Sequence, residues 1–291
     1  MSCGALWGIP GLFPNRGRPC RSASAESLPM KTAIVIPARY ASTRYPGKPL
    51  ARLTLPSGET KSLIEMSWEA AMAVSGVDDV YVATDDDRIA AACAGFGAAV
   101  IMTSETCRNG TERCAEALAA GALDADLVVN LQGDAPLTPA WFVEDLIAAM
   151  RTDETAQVAT PVLRCDAVTY GHFTEDRRAG RVGGTTAVFD VAGHALYFSK
   201  EVIPFIDPGK LPDPIPVFHH VGVYAYRAAA LQAYTGWAPG RLETLEGLEQ
   251  LRFVENGVPV ACVEVEGRGR VFWELNNPSD IPRIEAALRA M

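Results

Sequence analysis

The sequence predicts an α/β fold, a doubly wound and mostly parallel sheet with a smaller mixed α+β subregion. Three observations lead there. Between residues 32 and 131, four short apolar runs rich in Val and Ile alternate with segments of helical period. Beyond residue 163 that rhythm gives way to segments rich in Gly, Thr and Pro. With 291 residues, 48% of them hydrophobic, the chain can bury a substantial core.

Residues 32–37 form the first expected strand, an Ile- and Val-rich run of the kind buried on both faces. A helix follows over 62–75 and a strand over 80–84. Residues 86–96 read as a helix with an acidic first turn, which complements the helix macrodipole. A strand over 99–103 precedes a helix over 111–120, with Thr111 as a candidate N-cap, and a fourth strand covers 126–131. After Pro139 a helix runs to about residue 151, and 157–163 is strand-like. Residues 185–190, 195–198 and 217–226 read as strands of the mixed region. Helices at 227–234 and 243–255, strands at 258–265 and 270–275 and a closing helix from Pro278 complete the pattern, with no internal repeat.

Composition excludes several classes. A net charge of −9 does not suit a general nucleic-acid or anionic-membrane surface, so an anionic ligand must meet a local cationic cluster or a metal ion. The seven cysteines form no C-x-x-C pair and are odd in number, which suggests neither a zinc site nor a disulfide framework. Apolar runs are interrupted too soon to span a membrane. Residues 1–29, rich in Gly, Pro, Arg and Ser, read as a disordered leader or as a start placed too early, with Met30 as the true beginning. A cytoplasmic protein is expected.

The segment Pro37–Pro49 leaves the C-terminal end of the first strand, where open α/β sheets bind ligands. Arg39, Arg44 and Lys48 share it with Ser42, Thr43 and Gly47, so guanidinium forks, an ammonium and backbone N–H groups can converge on phosphate oxygens. A solvated basic loop would have the same composition. Neither G-x-G-x-x-G nor G-x-x-x-x-G-K-[ST] occurs, against a dinucleotide-binding dehydrogenase and a P-loop ATPase.

The strand over 126–131 runs into Gln132-Gly133-Asp134, which brings a carboxamide and a carboxylate beside that loop. Asp134 is either a turn cap or, with the basic loop, a ligand for magnesium, which takes one or two carboxylates plus substrate phosphates. Asp85, Asp86 and Asp87 read as helix-start acids rather than metal ligands. The turn Asn109–Arg113, including Gly110 and Thr111, offers free N–H groups either for capping or for base and ribose recognition.

In this order the motifs resemble those of the cytidylyltransferases that make CMP-sugars, most closely the 3-deoxy-manno-octulosonate cytidylyltransferase (CMP-Kdo synthetase) family. The resemblance runs from about Lys31 to the C-terminus. It is most specific in 36–50, 109–113, Gln132-Gly133-Asp134, 220–227 and 248–252. It implies a Rossmann-like nucleotidyltransferase fold in one domain, 30–291. Within that domain 30–163 would bind nucleotide, 164–258 would bind sugar and dimerise, and 259–291 would return to the core. CTP and a sugar acid would be the substrates, magnesium the metal, and a homodimer the assembly.

The resemblance further implies that Arg39, Arg44 and Lys48 hold the CTP phosphates, with Lys48, Asp134 and Arg39 the catalytic set. Ala38, Gly110, Thr111 and Gln132 would surround the nucleotide, and Lys200, His220, Tyr224, Glu249 and Gln250 the sugar acid. Read without the family, His220, Tyr224 and Glu249 would pass for a core histidine, a packed aromatic and a solvated helix residue. Three departures stand out. Ala135 replaces the family's Glu. Lys200 replaces an Arg, which keeps the charge but loses bidentate recognition. Asn276 replaces the second metal-binding Asp, and Glu274, on the same face of an expected strand, is the candidate to compensate. The implied reaction is transfer of CMP to Kdo for lipopolysaccharide synthesis. A cytidylyltransferase for amino-Kdo or a sialic-type acid, or a weakly active nucleotide-binding paralogue, are the alternatives.

Overall fold

In the computed structural model, which describes residues 30–41, 45–121, 123–207, 209–270 and 274–290, side chains of the first strand divide between two cores. In β1 (Thr32–Ala38), Ala33 and Val35 pack on one face while Ile34 and Ile36 pack on the other. Strict alternation of apolar side chains on both faces is what a central parallel strand requires.

A short hairpin, β2 (Arg52–Thr54) and β3 (Thr60–Ser62), leads into α1 (Leu63–Met72). Ser62 caps α1 through a reciprocal box with Glu65. Next come β4 (Asp79–Thr84), α2 (Asp87–Phe96), β5 (Ala99–Met102), α3 (Gly110–Ala119), β6 (Leu127–Leu131), α4 (Ala140–Thr152) and β7 (Val158–Arg164). The mixed region holds α5 (Ala167–Arg178), β8 (Thr186–Phe189), β9 (Ala195–Ser199), β10 (Phe218–His220) and β11 (Val223–Arg227). Then follow α6 (Ala228–Thr235), α7 (Arg241–Glu246), α8 (Leu251–Glu255), β12 (Val260–Glu264) and α9 (Ile281–Ala290).

The main sheet runs β5-β4-β1-β6-β11-β7-β10-β8-β9, with β12 also pairing β7. The first four strands are parallel, as the alternating pattern predicted. Beyond β6 the pairing becomes mixed, since β11 is antiparallel to both β6 and β7. The chain winds outward from β1 through β4 and β5 and then returns to place β6 on the other side. The exits of β1 and β6 therefore flank the topological switch point. α1, α2 and α4 supply Ile64, Ile89 and Phe142 to one core, whereas α3, α6 and α8 supply Cys114, Leu231 and Phe253 to the other.

Several expectations are corrected. Asn109, not Thr111, caps α3, because the Asn109 side chain accepts from the Glu112 N–H at 2.8 Å. The helix expected over 243–255 is two, α7 and α8, because Gly247 takes φ 63° and ends the first. The strand expected over 217–226 breaks at Val221-Gly222 into β10 and β11. Residues 271–273 lie outside the described residues, and Glu274–Asn276 is not regular strand, so alternation along a strand does not orient Glu274. The leader expected over 1–29 also lies outside them. The hairpin β2–β3 and helix α5 had no counterpart in the sequence reading. As expected, Asp86 caps α2, whereas Asp85, also read as a helix-start acid, instead pairs with Arg113 at 3.3 Å.

Candidate functional site

The exits of β1 and β6 come into contact at Gly133. A Cβ there would stand 2.9 Å from the Pro37 carbonyl oxygen, so only glycine lets the two loops close on each other. That approach sets Asp134 beside Lys48, whose Nζ lies 2.5 Å from Asp134 Oδ2 with both side chains three-quarters or more buried. The basic loop is pinned at its base: Gly47 N–H donates to the Tyr40 carbonyl at 2.9 Å, and the Tyr40 ring lies against Gly47. Arg88 stacks on that ring 3.3 Å from its centroid while gripping Asp86. Of the other predicted loop residues, Ala38 is buried and Arg39 exposed, and Arg44 lies outside the described residues.

Next to this pair, the N-terminus of α3 meets the carboxylate of a half-buried residue, Glu249. Thr111 N–H donates to Glu249 Oε2 at 3.2 Å, and Gln132 Nε2 approaches Glu249 Oε1 at 3.4 Å. Burial pushes the Glu249 carboxyl up to about 7, despite the Thr111 hydrogen bond. The break at Gly247 is what makes this geometry possible. It ends α7 before Glu249 and Gln250, whose side chains meet Gln132 beyond β6 and Tyr224 on β11.

Predicted residues from the mixed region line the same face. Tyr224 donates to Gln250 Oε1 at 3.1 Å, and its ring lies 5.6 Å from that of His220. His220 is 6% exposed, and burial holds its imidazole down to about 3, so it is neutral in ordinary conditions. Burial likewise drives the phenols of Tyr224 and Tyr226 well above their usual range. The Lys200 ammonium sits 3.0 Å from where a Gly247 Cβ would stand, and the Lys200 N–H donates to Glu246. Three buried side chains here keep polar atoms with no hydrogen-bond partner among the described residues: His220 Nε2, Gln250 Nε2 and both amide atoms of Asn130. Buried polar atoms are almost always paired, so this concentration marks a place built for a polar ligand.

Sequence reasoning missed Asn130, although a polar residue in the run Leu127–Leu131, two positions before Gln132, was a readable signal. It also missed the brace behind the pocket. Arg252, 1% exposed, donates to Glu243 at 2.7 and 2.5 Å and to Glu112 at 3.1 Å, and lies over the Tyr234 ring. This ties α3 to α7 and α8. A second depression, lined by Trp68, Val77 and Asp79, lies at the opposite edge of the sheet where β4 begins, and holds none of these groups.

The C-terminal return closes the crevice. Leu275 N–H donates to the Asp134 carbonyl at 2.8 Å, and Leu275 packs with Leu53, Leu137 and Ile284 in a small separate core. Glu274 Oε1 lies 3.5 Å from a Cβ position at Gly222, where Gln132 Cγ is 3.7 Å away, so its carboxylate faces the predicted pocket. The Asn276 N–H is held by Asp280. Among the described residues no group of three or more His, Cys, Asp or Glu could by itself hold a metal ion. Asp134, with Asn276 and Glu274 on the adjoining segment, nevertheless offers hard oxygen donors. They suit a cation such as magnesium, which keeps much of its coordination for water and substrate phosphates.

A sheet whose first four strands are parallel, with a cation–carboxylate pair at its switch point and buried polar side chains alongside, suits a nucleotidyltransferase. A family model described as "Cytidylyltransferase" matches residues 33–260. The chain is 44% identical over 262 residues to 3-deoxy-manno-octulosonate cytidylyltransferase of Maricaulis maris, covering 90% of this chain and 98% of that one. It is 40% identical to 8-amino-3,8-dideoxy-manno-octulosonate cytidylyltransferase of Shewanella piezotolerans, over 89% of this chain and 99% of that one. A solved structure of CMP:2-keto-3-deoxy-manno-octonic acid synthetase complexed with CTP superposes with a TM-score of 0.76 at 34% identity, covering 89% of this chain and 99% of the other. The chain belongs to the 3-deoxy-manno-octulosonate cytidylyltransferase family.

Proposed function

We propose that this enzyme transfers CMP from CTP to an acidic sugar, 3-deoxy-manno-octulosonate, giving CMP-Kdo and pyrophosphate for lipopolysaccharide synthesis. The observation that carries the reading is the Lys48–Asp134 pair at the switch point, together with the cluster of buried polar groups that have no partner among the described residues. Arg39, Arg44 and Lys48 neutralise the triphosphate. Ala38, Gly110, Thr111 and Gln132 enclose the nucleotide, with the α3 N-terminus favouring negative charge. Lys200 meets the sugar carboxylate as a point charge, and His220, Tyr224, Glu249 and Gln250 read its hydroxyls.

Asp134, Asn276 and Glu274 would hold magnesium. Bound there, the ion would neutralise charge on the reacting phosphate and acidify the sugar's anomeric hydroxyl. That hydroxyl attacks the α-phosphorus in line as pyrophosphate leaves, and Lys48 balances the charge that develops. The enzyme works in the cytoplasm as a homodimer formed through 164–258, where Val191, Leu196 and Phe205 are exposed. No helix among the described residues is long and apolar enough to cross a membrane.

A second reading, amino-Kdo as acceptor, is favoured by the Shewanella relative and by Glu249 and Glu274, whose carboxylates could receive an ammonium. Pyrophosphate release, measured with several nucleoside triphosphates against Kdo, amino-Kdo and a sialic-type acid, tests both. Release with CTP and Kdo supports the proposal, and faster release with amino-Kdo supports the second reading. No release with any sugar acid leaves only a nucleotide-binding protein.

A further inference from the structure

Asn130 lies on β6, opposite Val35 of β1 and opposite Tyr224 of β11. It is fully buried, and neither its amide nitrogen nor its amide oxygen has a hydrogen-bond partner among the described residues. An apolar residue of the same shape would suit this strand better, because Val128 and Val129 beside it are packed in the two cores. Its surroundings show where the amide faces. A Cβ at Gly110 would stand 3.1 Å from Asn130 Nδ2 and 3.3 Å from Gln132 Nε2, so two carboxamides converge under the first residue of α3. Across the strand pair, Tyr224 leads to Gln250, and Gln250 Nε2 and His220 Nε2 are unpartnered as well. All of these polar atoms are buried.

We propose that Asn130 is a specificity-determining residue that reads the acceptor, its amide donating to one hydroxyl of a polyhydroxylated acid sugar and accepting from another. The inference rests on the proposed transfer to an acidic sugar. Phosphate oxygens only accept, and would leave the Asn130 oxygen unmatched. A hydroxyl both donates and accepts, and so matches the amide, the Gln250 nitrogen and a neutral His220 imidazole together. The edge of a nucleobase offers the same donor–acceptor pair, and the experiment separates the two sources.

The test compares wild-type enzyme with Asn130→Leu and Asn130→Ala. It measures KM for Kdo, KM for CTP, kcat, CTP affinity by calorimetry and the unfolding midpoint. Asn130→Leu is expected to keep or raise the unfolding midpoint, since it removes two unpartnered polar atoms. It is expected to cost about 10- to 100-fold in kcat/KM for the sugar acid, with CTP affinity within about 2-fold of wild type. Asn130→Ala provides the same kinetic readout should Leu overfill the site. Unchanged sugar kinetics in a folded variant, or a loss confined to CTP, would overturn the inference while leaving the proposed reaction intact. A wild-type enzyme that turned over no sugar acid would instead remove the reading on which the inference rests.

Discussion

Glu249→Gln should change the pH dependence of stability in a defined direction. The Glu249 carboxyl titrates at about 7 in the folded protein against an ordinary value of 4.5, because burial disfavours its charge. Between those values the folded state holds a proton that the unfolded state has released. Stability from this group is therefore complete below about pH 4.5 and is lost as pH rises toward 7. That gap corresponds to about 3 kcal/mol. Gln does not titrate, so the mutant escapes this loss, whatever constant offset follows from its altered contacts with Thr111 and Gln132. Urea unfolding of both proteins at pH 4.5, 6, 7 and 8 should show the stability of Glu249→Gln gaining on wild type by about 3 kcal/mol across the range. Parallel stability profiles would refute the claim that Glu249 is a desolvated acid poised near neutrality.

Other consequences are simpler to read. Arg252→Ala leaves Glu243 and Glu112 buried without their shared cation, and should cost about 3–5 kcal/mol in urea unfolding. A loss under 1 kcal/mol would mean that the brace is replaceable. Gly247→Ala forces a side chain into φ 63° and against the Lys200 ammonium. It should lose about 1 kcal/mol of stability and raise KM for the sugar acid, with KM for CTP unchanged.

The parallel half of the fold was legible because its strands are continuous apolar runs, as in Thr32–Ala38, and its helices carry apolar stripes. Helix α5 was not, since Phe173 is its one buried residue and its sequence is polar almost all round. The hairpin β2–β3 was too short, three residues a strand, for period-2 alternation to register. Within the candidate site, the meeting of Lys48 and Asp134 followed from two strand exits at one sheet edge, a placement that topology alone dictates. Glu249, Gln250, His220 and Tyr224 could not be found that way. A bend at Gly247 and a strand break at Gly222 bring them inward, and their residue types read equally well as surface and core. Asn130 stayed hidden for the opposite reason, in a strand whose other four residues are apolar.

In the proposed reaction Lys48 and Asp134 form one clamp for a triphosphate and its divalent cation. Its most direct test is the rate of pyrophosphate release from CTP and Kdo, titrated with magnesium, in wild type and in Asp134→Asn. Asp134→Asn is expected to lose at least about 100-fold in kcat and to need more magnesium for half-maximal rate, with unfolding close to wild type. Turnover within about 3-fold of wild type at the same magnesium dependence would contradict it.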